Sequence, residues 1–252
     1  MSCSSPGGMI VAVCLLMGMT AVAADTDTRD GDAILRGVWL RFPHETVTLT
    51  GTLSVRTRRG TVEKMVPFEL LMDGAGNPAQ AVYTIRDTDG RITERMTVVR
   101  RGEEPPVYQF SRGDPPRDEP VPDLNLAVDG SDITWMDLTL SFLWWRGSEV
   151  LGKADIKGRP CHWLSVKTPD SLSGQYSRVE LWIDHETGML LQAEAFDAGG
   201  DRVRRLWIKS FRKIRDRWMI KDMEIESYPR LRRTRLRIDD LAVQPQPDQP
   251  NE

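Results

Sequence analysis

Histidine and cysteine are both scarce here, with 3 of each in 252 residues. So few cysteines cannot knit a disulfide scaffold. There is no GxSxG, no Walker-type glycine-rich loop, no HExxH and no paired CxxC. These absences exclude the familiar signatures of serine hydrolases, NTPases, zinc proteases and zinc ribbons. Charge of one sign is also missing: 34 Lys+Arg against 37 Asp+Glu leave a net −3, which argues against a dedicated nucleic-acid binder. What is present is 40% apolar residues, enough for a packed core, with 16 Pro and 20 Gly as turn material and no collagen period.

The first 24 residues read as a signal peptide rather than as fold. Met9 to Ala24 carries no charge and ends in the small residues Ala21-Val22-Ala23-Ala24, with cleavage expected after Ala23 or Ala24. A membrane span needs about 20 apolar residues, so this run is short for an anchor. Cys14 follows Val13, where a lipoprotein signal would want a small residue, so lipidation there is discounted. Removing residues 1–24 leaves Cys161 as the single cysteine and yields a periplasmic protein of one domain, 25–243, with a disordered tail over 244–252.

Asp32 reads as the cap of a short helix whose apolar stripe is Ile34, Leu35, Val38, Trp39 and Phe42. A meander of β-patterned runs follows: Thr46–Arg56, Val62–Met72, Ala79–Arg86 and Ile92–Arg100. Glu103 to Pro122 holds six prolines and reads as a long, exposed, mobile connection. Ile133 to Trp145 is the most apolar segment after the leader. Asp132 or Thr134 can start a helix there and Gly147 can end it, although Leu138, Leu140, Phe142 and Trp144 also alternate as a strand would; helix is the preferred reading. A second meander runs from Glu149 to Ile238, for about eleven strands and two helices in all.

Candidate chemistry is thin. Cys161 and His162 are adjacent, but neighbours on a strand face opposite sides of a sheet and cannot form a dyad. Only His44 and His185 remain to complete a metal site, so a buried cysteine beside a strand histidine is the expectation. Asp184, His185 and Glu186 fill a hairpin corner and read as solvated turn polarity. No catalytic residue, metal or cofactor is therefore expected.

From Arg202 to Ile238 there are fourteen Lys/Arg against four Asp/Glu. If Tyr228-Pro229 is a two-residue turn, Ser227 pairs with Arg230, Glu224 faces Arg233 and Asp222 faces Arg235, making a self-neutralised outer face. Strand parity also sorts the tryptophans: Leu164, Leu181, Ile183, Met223 and Ile225 fall on one, aliphatic face, while Trp163, Trp182, Trp207 and Trp218 fall on the other. Apolar groups on both faces mean that both are covered, or that one is kept for a ligand or partner.

The stretch Val179-Glu180-Leu181-Trp182-Ile183-Asp184-His185-Glu186-Thr187-Gly188, followed by Leu190–Phe196, resembles the VxLWID-x-ETG-type hairpin of the LolA-like outer-membrane lipoprotein-sorting family. Phe211, Arg212, Trp218 and Met223 resemble its next strands, and Asp132–Trp145 its acidic-start, leucine-rich helix. The similarity runs roughly from Ser131 to Leu241, and His185 stands where the family pattern has proline. The resemblance implies a half-open antiparallel β-barrel with short helices plugging its concave side. It also implies a role in escorting lipoprotein acyl chains across the periplasm.

The function expected is thus a non-catalytic periplasmic carrier or binder of lipoproteins or other acylated lipids, involved in sorting to the outer membrane. Its cavity and lid would draw on Leu138, Leu140, Phe142 and Trp144, with Leu164, Leu181, Ile183, Met223 and Ile225 beneath. Its partners would be acyl chains and transport proteins of the inner or outer membrane, not nucleic acid, and the chain would be a monomer. The alternative is an interaction or envelope-sensor domain that binds a protein through Trp163, Trp182, Trp207 and Trp218.

Overall fold

The computed structural model describes residues 30–172, 176–214, 217–228 and 232–244. The leader read at residues 1–24 and nearly all of the tail lie outside them. Helix α1 (Gly31–Trp39) comes first, and six strands follow: β1 (Thr46–Arg56), β2 (Val62–Asp73), β3 (Ala79–Arg86), β4 (Ile92–Arg100), β5 (Val107–Arg112) and β6 (Arg117–Glu119). A connection with helix α2 (Trp135–Leu138) and a 3₁₀ turn at Ser141–Trp144 leads to the second meander. This comprises β7 (Glu149–Ile156), β8 (Arg159–Lys167), β9 (Arg178–Asp184), β10 (Leu190–Phe196), β11 (Arg202–Ile214), β12 (Arg217–Ser227) and β13 (Arg232–Val243).

All strands join one antiparallel sheet of thirteen, ordered β6-β5-β4-β3-β2-β1-β13-β12-β11-β10-β9-β8-β7. The two meanders meet where β1 pairs with β13, and β6 and β7 remain as edges, so the sheet is open rather than a closed barrel. The β1–β13 seam carries a bulge between Thr50 and Gly51. A side chain at Gly51 would run into the Arg237 carbonyl and sit 2.8 Å from the Phe68 ring, so only glycine allows that approach.

Alternation within the strands sends one set of side chains to the concave face. Leu53, Ile85, Met96, Leu164, Leu181, Ile225 and Leu236 are buried there in one continuous core. Leu35 and Val38 from α1, with Ile133, Trp135, Met136 and Leu143 from the central connection, cover them. Among the described residues no helix is long and apolar enough to cross a membrane.

Five sequence expectations are corrected, the last of them at Asp184 below. Among the described residues there are thirteen strands, because β5 and β6 lie inside the proline-rich 103–122 stretch. Its prolines flank the strands, and Phe110 packs edge-on to Trp135 at 5.9 Å. The 133–145 segment is not one helix: Leu140 turns left-handed at φ 51° and splits it into α2 and the 3₁₀ turn. Helix α1 is capped by Asp30, whose carboxylate accepts from the Asp32 amide, while Asp32 itself accepts from Gly147 and Ser148 at 2.6–3.0 Å. Ser227 pairs with Arg232, two residues beyond the expected register. The expected charge partners still meet, but along the diagonal: Arg233 lies 3.6 Å from Glu224 and 3.0 Å from Glu226, and Arg235 grips Asp222.

The hairpin corner between β9 and β10 is built on a buried carboxylate. Asp184 is 2% exposed, not solvated. It accepts from the Glu186 amide (3.1 Å), the Thr187 amide (2.6 Å), the Thr187 hydroxyl (2.8 Å) and Arg159 (2.6 Å). Burial alone would raise its pKa, but the Arg159 pair and the Thr187 donors outweigh it and hold the carboxyl well below the ordinary carboxylate range. Cys161 beside it is buried too, and burial pushes its thiol up to about 11. A carboxyl depressed on folding contributes stability above the unfolded value near 4 and loses it as pH falls through the folded value. Asp184→Asn should therefore cost about 2 kcal/mol in urea unfolding at pH 7. The gap from wild type should shrink as pH drops below about 4; a gap that stays constant down to pH 2 would contradict this origin.

Candidate functional site

The sheet's concave face is not completely filled. Between it and the central connection lies a cavity of about 110 Å³ with an almost wholly apolar lining. The first meander supplies Leu49, Phe68, Leu70, Met72 and Tyr83, and the second supplies Met223, Leu236 and Ile238. Phe42 and Pro43, just past α1, close one side, and Leu138 and Leu140 form the roof. A smaller pocket of about 60 Å³ shares Phe42, Pro43, Met72 and Tyr83 and runs on to Arg100 and Trp144.

The roof is held by buried polar contacts. Thr134 and Asp137 form a capping box on α2: the Asp137 amide donates to the Thr134 hydroxyl at 3.2 Å, and the Thr134 amide donates to the Asp137 carboxylate at 3.0 Å. That carboxylate also meets Arg204 of β11 at 3.3 Å and accepts from the Tyr176 hydroxyl at 3.2 Å. Arg204 further donates to the Asp132 carbonyl and to the Ser227 hydroxyl at 3.1 Å. Burial acts to lower the Arg204 guanidinium, but Asp137, Tyr176 and Asp132 together raise it above its ordinary value. Burial and the Asp137 charge raise Tyr176. A second tie joins Asp132 to Arg232 at 3.5 Å and to the Thr234 hydroxyl at 3.4 Å. At the far end the Tyr108 hydroxyl meets the Ser141 hydroxyl at 2.9 Å.

The residues expected at the cavity divide. Leu138, Leu140 and Met223 line it. Phe142, Leu164, Leu181 and Ile225 are buried in the surrounding core and do not reach it. Ile183 lies by a separate pocket with His162 and His185, whose rings are 3.8 Å apart. Trp144 packs on Trp39 at 5.4 Å and on Phe42 at 6.2 Å.

The four outer-face tryptophans do not form one patch. Trp163 and Trp182 stack at 6.0 Å, and Trp163 donates to Glu180 at 3.1 Å. Trp207 lies among Arg205, Lys209 and Arg233, at 5.4, 5.3 and 5.9 Å. Trp218, 42% exposed, stands at the rim of the concave cavity.

Sequence reasoning missed the contribution of the first meander. Leu49, Phe68, Leu70, Met72 and Tyr83 share one strand face, and their parity was readable. Their contact with Leu138 and Leu140 depends on pairing across the β1–β13 seam, which no local pattern announces.

Removing one member of a buried pair strands the other and costs about 3–5 kcal/mol. Arg204→Met should therefore destabilise the protein by that amount in urea unfolding and speed protease cleavage within Ser131–Gly147. A loss under about 1 kcal/mol would mean that Arg204 does not hold the roof.

A family model described as "-like: Uncharacterized protein" matches residues 122–249. No curated protein matches the chain. Solved structures with the same fold include a DUF1329 family protein from Desulfovibrio piger, at TM-score 0.70 and 18% identity over 84% of this chain and 91% of that one. A domain named for outer membrane lipoprotein sorting from Vibrio parahaemolyticus superposes at TM-score 0.71 and 15% identity, over 85% and 92%. A LolA superfamily protein from Nitrosomonas europaea follows at TM-score 0.64 and 15% identity, over 87% and 96%. At these identities the likeness is one of fold, and the fold is the open LolA-like β-structure.

Proposed function

We propose that this chain, which belongs to the family matched over residues 122–249 and has a LolA-like fold, is a non-catalytic carrier or binder of acyl lipids. The observation that carries the reading is the apolar cavity under a roof attached through buried polar ties. The cavity is open at the Trp218 rim, and at about 110 Å³ it is smaller than the roughly 150 Å³ hole that admits benzene in an engineered core. A whole acyl chain therefore needs more room than this, which movement of the roof would supply.

The magnitudes allow it. Each buried CH₂ contributes about 0.8 kcal/mol, so a sixteen-carbon chain offers roughly 12 kcal/mol. Parting Asp137 from Arg204 lets both charges meet water, so the tie opposes it with less than the about 3–5 kcal/mol lost when one partner is removed. The left-handed Leu140 supplies a break between α2 and the 3₁₀ turn, so the two halves of the roof can part without unwinding a continuous helix.

The leader at residues 1–24, the domain 25–243 and the tail 244–252 belong to the same proposal, as does a periplasmic location; the lipoprotein-sorting name of the Vibrio parahaemolyticus domain supports it. Acyl chains of lipoproteins or other lipids, handed between inner- and outer-membrane proteins, fit such a site. The cavity residues put forward are Leu138, Leu140 and Met223 together with Leu49, Phe68, Leu70, Met72 and Tyr83. The alternative, a partner-binding face at Trp163, Trp182, Trp207 and Trp218, draws less support, because the four do not form one patch and each is engaged in stacking or cation–π contacts on the sheet.

Trp144 in the roof and Trp218 at the rim report on occupancy. Titrating the protein with a palmitoylated lipopeptide should shift tryptophan emission saturably, and Met223→Glu, which puts a charge in the cavity, should weaken the response at least about tenfold. No change in wild-type emission at saturating lipopeptide would overturn the carrier reading.

A further inference from the structure

Arg100 is the last residue of β4 and lies in phase with Met96 and Val98, so it enters the apolar concave side of the sheet. Its surroundings there are aromatic. The guanidinium carbon lies 4.2 Å from the Trp144 ring centroid and 5.6 Å from that of Trp39. The Nη1 atom is buried and has no hydrogen-bond partner among the described residues. Among the described residues, the one titratable neighbour that acts on its charge is the Tyr83 phenol, and burial lowers the guanidinium below its ordinary value.

Arg204, which is more deeply buried, is treated differently, because it has Asp137. The more exposed Arg159 and Arg235 have Asp184 and Asp222, whereas Arg56 and Arg95 share with Arg100 a buried nitrogen that has no hydrogen-bond partner among the described residues. A partly desolvated guanidinium without a carboxylate is costly unless an anion arrives to meet it. With its carbon over the Trp144 ring, the guanidinium keeps its N–H donors for an anion that enters the adjoining pocket. Arg100 also lines the small pocket that continues from the main cavity through Phe42, Met72 and Tyr83. Asp73 is the one acid lining that pocket, and it already accepts from the Thr46 hydroxyl at 3.2 Å and the Gly76 amide at 3.1 Å.

We propose that Arg100 receives the anionic head group of the cargo, so that the preferred ligands are acyl lipids ending in a carboxylate or a phosphate rather than neutral acyl esters or alcohols. The inference rests on the carrier reading: the cavity takes the chain and Arg100 takes the charge. A bidentate, charge-assisted contact to such a head group is stronger than the hydrogen bonds of a neutral one.

Three ligands with the same twelve-carbon chain test it: laurate, dodecyl phosphate and dodecanol, titrated below micelle formation at pH 8 by calorimetry. Wild type should bind at least one anion about tenfold or more tighter than dodecanol, and the tighter anion identifies the head group. Arg100→Gln should bring all three to the dodecanol affinity, and Arg100→Lys should keep part of the preference. If wild type binds dodecanol as tightly as both anions, or if Arg100→Gln retains the preference, the inference is overturned while the carrier reading stands. If none of the three binds, the carrier reading falls and this inference falls with it. Should Arg100→Gln not fold, the wild-type comparison alone decides.

Discussion

A sheet of thirteen strands with one aliphatic face cannot stand open to water; something must cover that face, and the cover determines what the molecule can do. Here the cover is α1 and the central 132–146 connection, and the connection is fastened at its middle by Asp137 against Arg204. That pair lies among Thr134, Tyr176 and Asp132, all buried. A purely apolar roof would merge with the core and stay shut. A roof tied through a few charge-assisted contacts has a definite closed position and a bounded cost of opening.

The rest of the structure supports that arrangement. The β1–β13 seam brings the two meanders together and lets the first supply half of the cavity wall. The basic run that ends the chain is spent on its own sheet: Glu224, Glu226 and Asp222 meet Arg233 and Arg235 on the convex side. The outer face is thereby made polar along these strands, and the large apolar core lies on the concave one, with a small second cluster around Trp182 and Leu191. Asp184 does a similar service at the β9–β10 corner, where one buried carboxylate satisfies two amides, a hydroxyl and Arg159.

The sequence made the fold class legible because strand parity is a local property. Leu164, Leu181, Ile183, Met223 and Ile225 were assigned to the buried face from alternation alone, and all five are buried. The LolA-like fold itself came from the resemblance of the VxLWID-type hairpin to that family, not from parity. What could not be read was non-local. Ser227 pairs with Arg232, and nothing in the run from 228 to 231 distinguishes that register from the tighter one expected. Val107–Arg112 was hidden by flanking prolines, although its Phe110 alternates correctly. Arg100 has only its parity with Met96 and Val98 to place it inside; the aromatic ring of Trp144 against it comes from 44 positions further along the chain.

The central claim is that the concave cavity opens to take an acyl chain. The most direct measurement is to incubate the protein with bacterial phospholipid vesicles, repurify it, and quantify acyl chains in a solvent extract by mass spectrometry against protein concentration. The account predicts at least about one acyl lipid retained per chain, with the retained fraction falling when Met223 is replaced by Glu. Protein recovered free of lipid, while its roof is shown to open by hydrogen exchange at Trp135–Trp144, would contradict it.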